Sequence, residues 1–594
     1  MNKRYLFFKI SFLCLVQFLW GNKVQAQTKE TLKSLYEQAT ETSGLVLQYT
    51  QDTRAVDYFY GPMGTGLRWG NPAVRSPEQL KRIIRLDQSY LDKLNKIDFD
   101  NISIYGQVDY IVLKQKIEND LIALRNEENL QNAISNYIPF ADSIYFFEQT
   151  RRRGNTVNGQ LIAAALNNTL QLAKKAKITV EAGPMIEERQ AKYLLSTLDD
   201  INDRLKSSYN FYNTYDPLFT WWVPKSYEAL EKALDDFKNT VKKKSDIRIF
   251  NDGSNIGGNP IGKEELNRLL KSEMIDYSYE ELLHLADQEM KWCREQVMRA
   301  TKAMGYGTDW KAAMEKVKNS FVAPGKQPEL IVSLYNDALN FIKKRNLINF
   351  PSLADETWGM IMMTPQRQLV NPFFTGGREI SISYPTNTME YEDKLMSMRG
   401  NNPYFSRPTV QHELIPGHHL QFYMNSRYKS YRQAAFNTAF TTEGWSLYWE
   451  MLLFNEGFFK TPEEIMGAMF WRMHRCARIT FSIKFQIGEW TPQQCVDYLV
   501  NEVGHEYANA HAEVKRSFEE NYGPLYQLAY LIGGLQLMSI HHELVDSGKM
   551  TNAEFHDKVI KENHLPMEMV RATLTNQKLN RDFKTSWKFY GFMK

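Results

Sequence analysis

Residues 409–422 read TVQHELIPGHHLQF, and this stretch decides how the centre of the chain can fold. It opens with His412 and Glu413, which match the first two residues of the H-E-x-x-H pattern. In that pattern two histidines four positions apart bind zinc on one face of a helix. Here Pro416 occupies the fourth position, and a pair of histidines begins only at His418. The stretch is therefore either a metal site with altered spacing or a chance pairing of His with Glu.

A regular α-helix cannot make a metal site from His412 and His418. Residues four apart on a helix share a face, about 6 Å apart. Residues six apart lie roughly 9 Å apart along the axis and about 120° apart around it. Pro416 removes a helical N–H group, and Gly417 tolerates unusual backbone angles. We therefore expect a bulge or break here that brings His418, or the neighbouring His419, back beside His412.

A third ligand and a proton acceptor complete the predicted site. Catalytic zinc sites use three protein ligands and one water, and a nearby carboxylate can take a proton from that water. Glu413 is the candidate acceptor. Residues 440–454 read FTTEGWSLYWEMLLF with a helical period, and Glu443 lies 25 positions after His418, enough for a helix, a turn and a return. Either glutamate alone would be unremarkable, so the prediction rests on the combination.

The first 26 residues have the three-part plan of a secretory signal peptide. Basic residues are followed by an apolar run from Ile10 to Trp20 and by small residues ending at Ala26. This run is too short to span a bilayer, which needs about 20 residues. Large residues precede Cys14, which disfavours a lipid anchor. We predict a secreted or periplasmic protein with a cleaved leader and no transmembrane segment.

Charge and cysteine content exclude several functional classes. The chain of 594 residues has 72 basic and 69 acidic side chains, and four of the basic ones lie in the predicted leader. The remainder is nearly neutral, so no nucleic-acid partner is predicted. Basic runs at 151–153 and 242–244 are interpreted as solvated helix ends. Cys293, Cys476 and Cys495 show no zinc or disulfide framework and are predicted to be isolated buried thiols.

Most of the chain has the amphipathic period of α-helix. The clearest helical segments are 28–48, 77–95, 105–127, 158–206 and 226–243. Capping motifs mark three further helix starts, at Ser278, Thr461 and Thr491. The Gly- and Asn-rich loop 251–262 is the predicted join between an N-terminal helical lobe, residues 27–260, and a catalytic lobe, residues 261–594. Residues 378–387, REISISYPTN, are the best strand candidate.

HELIPGHHLQ (412–421) together with TEGWSLYWE (442–450) closely resembles the bacterial domain-of-unknown-function family numbered 885. Members of that family carry H-E-x-x-P-G-H-H-x-Q and E-G-W-x-L-Y-x-E. The resemblance covers most of residues 260–540 and includes the segments 262–290, 475–499 and 524–537. Leu525 stands where the family has glycine, and Gln486 stands where a histidine is expected. The residues of the metal motif are intact.

The family is similar to the gluzincin metallopeptidases, beside the angiotensin-converting enzyme, neurolysin and thermostable carboxypeptidase groups. The resemblance implies a mainly α, two-lobed metallopeptidase fold with a small antiparallel sheet beside the zinc helix. It also implies one zinc ion per chain. His412 and His418 would be zinc ligands, in preference to His419, with Glu413 as the general base and Glu443 as the third ligand.

The same resemblance implies roles around the metal. Tyr530 would stabilise the oxyanion, and His511 is a weaker candidate for the same task. The strand at 378–384 would bind extended substrate through backbone hydrogen bonds. Either Arg378 or Arg516 would hold a terminal carboxylate. The residues predicted to contact substrate are Arg378, Ser381, Arg516, His419 and Tyr526.

Three functional hypotheses follow from the sequence. The leading one is a secreted zinc metallopeptidase, exopeptidase-like, because a deep cleft between helical lobes favours short peptides over folded proteins. The second is a zinc-dependent amide or ester hydrolase acting on cell-wall fragments or small molecules. The third is a non-catalytic periplasmic binding protein with a vestigial metal site. The intact metal motif disfavours the third and leaves both hydrolases open.

Overall fold

A computed structural model describes most of the chain. The described residues are 38–61, 74–246, 250–368, 376–377, 379–519 and 522–591. The predicted leader, residues 1–26, and Arg378 lie outside them. Within the described residues the protein is mainly α-helical, as predicted.

The N-terminal helices of the described chain are α1 (Ser43–Tyr60), α2 (Pro77–Asn95), α3 (Ile104–Ile134), α4 (Ala141–Arg152), α5 (Gly159–Ala182), α6 (Glu188–Tyr212), α7 (Pro217–Trp222) and α8 (Pro224–Lys243). The central elements are α9 (Lys263–Ser272), α10 (Tyr279–Ala303), α11 (Trp310–Lys318), α12 (Gln327–Arg345), α13 (Ser352–Glu356), β1 (Gly359–Met362), α14 (Pro365–Gln368) and β2 (Glu379–Ile382). The C-terminal helices are α15 (Tyr391–Gly400), α16 (Pro403–Glu413), α17 (His418–Asn425), α18 (Ser430–Ala435), α19 (Ala439–Asn455), α20 (Pro462–Gln486), α21 (Pro492–Tyr498), α22 (Tyr507–Glu519), α23 (Tyr526–His541), α24 (Asn552–Lys561) and α25 (Met567–Thr575).

The helix predicted at 28–48 lies partly outside the described residues, and within them it begins at Ser43 and continues to Tyr60. Local sequence signals place three other helix starts correctly. The capping boxes at Ser278, Thr461 and Thr491 all form, with reciprocal hydrogen bonds between each cap and the third helical residue. The segment 158–206 was predicted as one helix and is two, α5 and α6. Gly183 ends the first of them in an extended conformation. Pro184 follows and offers no N–H group to continue it.

The small sheet differs from the expectation. Strands β1 and β2 pair in parallel, with Gly359 opposite Glu379 and Met362 opposite Ile382, so the predicted antiparallel sheet is wrong. Parallel neighbours need a crossover rather than a hairpin, and residues 363–378 supply one. The crossover returns beside the metal motif. A Cβ atom built on Gly376 would lie 2.0 Å from Glu413 Oε2, so only glycine fits at this contact.

The apolar interior is divided between two large cores. The larger core combines buried residues from 46–121 and 256–589, and the second contains buried residues from 134–241. The first helices therefore pack with the C-terminal half. A buried ionic group ties them together, because Arg432 on α18 lies 2.7 Å from Asp109 on α3. The predicted lobe boundary at residue 260 stays a prediction.

The states of the cysteines and the lengths of the apolar helices can be compared with two further predictions. Cys293, Cys476 and Cys495 are buried and free, as predicted. Cys476 is not isolated, because its thiol lies against that of Cys293, and burial together with this neighbour raises its pKa. Among the helices that the structure describes, none is both long enough and apolar enough to cross a membrane.

The basic run at 151–153 was predicted to be a solvated helix end, but only Arg153 is exposed. Arg151 and Arg152 are 3% and 9% exposed. Their guanidinium groups pair with Glu148 on the same helix, at 3.2 and 2.5 Å. Helix periodicity alone did not reveal this burial, because it depends on how α4 packs against its neighbours.

Candidate metal centre

The predicted break in the helix is confirmed. Helix α16 ends at Glu413, helix α17 begins at His418, and residues 414–417 between them are not helical. The break shortens the path between the first and second histidines. The rings of His412 and His418 are 4.9 Å apart between centroids and nearly perpendicular.

Glycine and tryptophan hold the broken turn in place. A Cβ atom on Gly417 would lie 1.8 Å from the carbonyl oxygen of His412, so only glycine permits this fold-back. The Gly417 N–H group donates to the Gln411 carbonyl at 3.0 Å. The indole N–H of Trp445 donates to the Pro416 carbonyl at 2.8 Å, which fixes the turn against α19.

Three candidate ligands meet at this turn. One nitrogen or oxygen atom from each of His412, His418 and Glu443 lies within 4.8 Å of the other two. Glu443 Oε2 is 3.3 Å from His418 Nε2 and 3.7 Å from His412 Nε2. Tetrahedral zinc with ligands at 2.0–2.1 Å separates its ligand atoms by about 3.3 Å. Their spacing therefore suits a zinc ion.

Unsatisfied polar atoms support the same conclusion. Glu443 Oε2 is buried and has no hydrogen-bond partner among the described residues. Leaving a buried acceptor without a partner is costly, and a metal ion would satisfy this oxygen. The donor set of two imidazoles and one carboxylate is also that of many catalytic zinc sites. The residues present thus fit a zinc ion.

Two further residues orient the ligands. His412 Nδ1 lies 2.6 Å from Glu450 Oε1, and the Tyr526 hydroxyl donates to Glu443 Oε1 at 2.5 Å. Both contacts leave His412 Nε2 and Glu443 Oε2 facing the proposed metal position. Metal-binding side chains are commonly oriented by such hydrogen bonds at their other polar atom. Sequence reasoning missed Glu450. The available signal was its spacing, two helical turns after Glu443 on the same face of α19.

A close helix crossing brings the tyrosines to the site. Helices α19 and α23 pack so tightly that a Cβ atom on Gly444 would lie 2.6 Å from Gly533 Cα. Tyr530 is one turn before that crossing. Its ring stacks on His412, with centroids 6.3 Å apart, and its hydroxyl is 3.4 Å from that of Tyr526. The predicted oxyanion stabiliser therefore lies beside a candidate ligand.

The electrostatics of the site favour a cation next to a carboxylate. Burial lowers the pKa of His412, but the neighbouring carboxylates of Glu443 and Glu450 raise it to about 9. Burial raises the pKa of Glu443, yet His418 and His412 hold it well below its ordinary value. A proton or a metal cation at the imidazoles is stabilised by this surrounding charge.

The carboxylate of Glu413 lies close to the candidate ligands His412 and His418. Its Oε2 atom is buried without a partner among the described residues. Burial raises its pKa above the ordinary value, and the nearby His412 and His418 partly offset this rise. A carboxylate with a raised pKa is suited to accept and return a proton near neutral pH.

The structure does not bring His419 and His511 to the metal ligands. His419 Nε2 donates to the carbonyl oxygen of Ala354 at 2.8 Å, so this nitrogen faces α13. His511 Nε2 donates to the carbonyl oxygen of Ser254 at 2.8 Å. His511 thus packs on the predicted irregular loop 251–262. The candidate metal cluster includes His418 and not His419.

The remaining predicted contacts are placed as follows. Ser381 is buried in β2, and its hydroxyl accepts from Arg367 Nη1 at 3.3 Å. Arg378 lies outside the described residues. Arg516 lies on α22 with its Nε atom 2.8 Å from Glu513 Oε2. The predicted substrate contacts stay a prediction.

Comparison with known proteins identifies the family and the fold. None of the curated proteins compared with the chain matches it. A candidate lipoprotein of unknown function from Shewanella oneidensis has 13% identity and a TM-score of 0.64, over 90% of this chain and 100% of its own. A candidate lipoprotein from Colwellia psychrerythraea has 16% identity and a TM-score of 0.56, over 90% and 98%. At these identities the likeness shows a shared fold alone. Residues 66–574 match the family described as bacterial protein of unknown function, DUF885, and the chain belongs to that family.

Proposed function

We propose that the chain is a zinc-dependent peptidase that hydrolyses peptide bonds of short peptides. The observation that supports it most directly is the convergence of His412, His418 and Glu443, whose ligand atoms lie within 4.8 Å of one another. Beside them lies Glu413, whose Oε2 atom is buried without a hydrogen-bond partner among the described residues. The break between α16 and α17 allows the imidazoles of His412 and His418 to approach each other, because a continuous helix would separate them.

The chain's own residues divide the remaining tasks. A bound zinc ion would polarise the scissile carbonyl and acidify a water molecule. Glu413 accepts the proton of the attacking water and passes it to the leaving amine. Burial raises the pKa of Tyr530, so its hydroxyl stays protonated and can donate to the developing oxyanion. Glu450 keeps His412 in the tautomer that presents Nε2 inward.

Burial and location define the proposed substrate and compartment. His412, Glu413, His418 and Glu443 are 2%, 8%, 7% and 7% exposed, so a folded protein could not reach them. Short peptides fit this depth, and an exopeptidase fits it better than a general endoprotease. The leader-like first 26 residues and the lipoprotein descriptions of two structural neighbours support a secreted or periplasmic protein.

Metal analysis combined with Glu413→Gln tests the proposal. We expect about one zinc per chain in both proteins. We also expect the hydrolysis of a peptide library to fall by roughly 10²- to 10⁴-fold in the variant, because the proton acceptor is lost. Glu489→Gln is the matched control, since Glu489 pairs with Lys484 at the exposed end of α20 and should change neither quantity.

The outcomes separate the hypotheses. A protein without zinc, or a Glu413→Gln variant with full activity, contradicts the proposal. Zinc with Glu413-dependent hydrolysis of esters or cell-wall amides, but not of peptides, identifies the alternative hydrolase. Zinc-independent ligand binding without any hydrolysis identifies the binding protein. The position of cleavage in the library distinguishes exo- from endopeptidase action.

A further inference from the structure

An exposed aromatic surface lies on the second core, where α4 and α6 end and α5 and α8 begin. At its centre is the six-residue helix α7, of which only Phe219 is buried. Tyr215 and Trp221 are 85% and 80% exposed, more than any other large apolar side chain of the described residues. The surface, here named the aromatic tip, consists of the exposed residues Leu161, Phe211, Tyr215, Leu218, Trp221 and Trp222.

Packing contacts gather these residues into one patch. A Cβ atom built on Gly159, at the start of α5, would lie 2.7 Å from the Leu218 carbonyl oxygen, so α7 lies directly on α5. A Cβ atom on Gly154, between α4 and α5, would lie 3.9 Å from Phe211 Cζ. The two segments that supply the aromatic tip are therefore neighbours. Single exposed apolar residues are ordinary, but a contiguous apolar patch marks an interaction surface.

The aromatic tip has a rigid base. The ring of Phe219 contacts the buried rings of Phe147 and Tyr212, with centroids 6.2 and 5.3 Å apart. The Tyr212 hydroxyl donates to the Asn155 carbonyl oxygen at 2.5 Å, which joins the end of α6 to the segment before α5. The exposed side chains of the tip thus project from an ordered aromatic core.

The backbone at the start of α7 is already paired. Asp216 Oδ1 accepts from the N–H groups of Leu218 and Phe219, at 2.9 Å each. The Asp216 carbonyl oxygen accepts from the N–H group of Thr220 at 2.9 Å, and Pro217 has no N–H group. The first turn of α7 therefore presents no unpaired N–H group. Backbone can enter an apolar medium only when its polar groups are paired in this way.

The charges around the aromatic tip are few. Within residues 153–161 and 209–225 the charged residues are Arg153, Asp216 and Lys225. Asp216 is engaged in capping α7, whereas Arg153 and Lys225 are exposed, and the guanidinium carbon of Arg153 lies 5.3 Å from the ring centroid of Phe59. An apolar surface with basic residues at its edge complements a bilayer, whose apolar interior is bordered by anionic head groups.

We propose that the aromatic tip binds the surface of a phospholipid bilayer and inserts its side chains among the lipid head groups. Tryptophan and tyrosine collect at this interface because their rings are apolar and their N–H or O–H groups stay in contact with polar head groups. A second copy of the chain fits less well, because side chains that project this far form no groove for another tip. The inference does not depend on the metal centre, whose ligands lie on α16, α17 and α19.

Binding to lipid vesicles tests the inference. The chain from residue 27 onward is used throughout, because the apolar run of the predicted leader would bind lipid by itself. It is mixed with vesicles of phosphatidylethanolamine and phosphatidylglycerol, and the bound fraction is measured by flotation at a series of lipid concentrations. We expect Trp221→Ser to weaken binding by roughly 10-fold or more, because the bilayer no longer buries an indole ring. The double variant Tyr215→Ser/Trp221→Ser should weaken it by at least roughly 30-fold.

The matched control is Tyr391→Ser, which removes an aromatic ring that is 73% exposed on α15, outside the aromatic tip. It should bind vesicles as tightly as the unaltered chain. Because all three side chains are mostly exposed, none of these variants should change the Tm. Zinc content should also be the same in all of them, since the aromatic tip belongs to the second core.

A fluorescent reporter locates the contact on the molecule. Leu218→Cys places a thiol at a position that is 68% exposed, and an environment-sensitive dye is attached to it. Cys293, Cys476 and Cys495 are buried and do not compete for the dye. We expect the emission to move to shorter wavelength when vesicles are added. The same dye on Val332→Cys, at an exposed position of α12, should not respond.

The outcomes decide between a bilayer and other partners. No binding to vesicles, binding that the double variant retains, or a dye response at Val332 and not at Leu218 overturns the inference. Dimerisation without lipid that Trp221→Ser abolishes, measured by analytical ultracentrifugation, would assign the aromatic tip to a second copy and also overturns it. Tip-dependent vesicle binding by a protein that contains no zinc and cleaves nothing would refute the proposed function alone.

Discussion

Two glutamates in different cores each hold buried arginines, and their surroundings differ. Glu148 in the second core accepts from Arg151, Arg152 and Arg204, and Glu513 in the larger core accepts from Arg478 and Arg516. Around Glu148 the charges balance, because Asp200 lies 2.7 Å from Arg204 and Glu78 lies 3.4 Å from Arg152. The arginines around Glu513 instead extend to the candidate metal centre, because the neighbouring Arg475 lies 3.5 Å from Glu450, which also accepts from His412.

A buried arginine cluster is therefore not by itself a functional site. Balanced clusters such as that of Glu148 bring helices together and need no further partner. The cluster at Glu513 differs because its arginines share the ring of Tyr530 with the candidate metal ligand His412. Removing single groups should therefore produce opposite results in the two regions: loss of stability in one, and loss of metal or substrate binding in the other.

The largest expected effect comes from removing a metal ligand. His418→Ala should weaken zinc binding by more than about 100-fold and abolish hydrolysis, because two ligands cannot hold the ion in competition with water. Zinc affinity is measured by competition with a chromophoric chelator. The neighbouring His419→Ala is the matched control, and it should keep zinc while losing about 1–3 kcal/mol of stability, since it leaves the Ala354 carbonyl unpaired. The reverse pattern would assign the metal to His419.

The second effect breaks the structural cluster. Glu148→Gln should lower the free energy of unfolding by about 3–5 kcal/mol, because it leaves buried guanidinium groups without their counter-charge. Zinc content at a temperature where the variant is folded should not change. Urea denaturation followed by circular dichroism, with zinc analysis of the folded variant, measures both. Loss of zinc without loss of stability would remove the distinction between the two regions.

Local sequence pattern was enough to predict the core of the site. Proline and glycine between His412 and His418 exclude a straight helix, and the structure has the break where these residues lie. Glu443 was found because its helix has a clear period and a suitable separation. Each of these inferences depends only on residues that lie close together in sequence, within one or two helices.

Contacts between distant elements were not predictable in this way. Glu450 reaches His412 across 38 positions, and the burial of Arg151 depends on how α4 packs. The parallel pairing of β1 and β2 does not follow from the alternation of apolar and polar residues within either strand. Such features follow from tertiary packing, which the periodicity of apolar residues in one sequence does not reveal.

A third kind of buried carboxylate gives a smaller effect, which depends on pH. Burial raises the pKa of Glu273 to about 7, and its hydrogen bond from the Thr438 hydroxyl offsets this only in part. Because the folded protein holds this proton more tightly, the stability that Glu273 contributes is fully present below about pH 4.5. It falls by up to ~3 kcal/mol as the pH rises through about 7. Glu273→Gln should remove that decline, measured as the difference in Tm between pH 5 and pH 8. Glu264→Gln, on the exposed side of α9, is the control, and an unchanged pH dependence in Glu273→Gln would contradict the assignment.

The smallest expected effect concerns Glu450, which contacts both the candidate ligand His412 and Arg475. Glu450 accepts from His412 and lies 3.5 Å from Arg475, so Glu450→Gln weakens support for a metal ligand without removing one. We expect zinc affinity to fall by about 10- to 100-fold, the usual effect of losing a carboxylate that orients a ligating histidine. The control is Glu456→Gln at the exposed end of α19, where Glu456 pairs with Arg345 and contributes little. If Glu450→Gln binds zinc as tightly as the control, Glu450 serves Arg475 alone, and the arginines around Glu513 are independent of the metal centre.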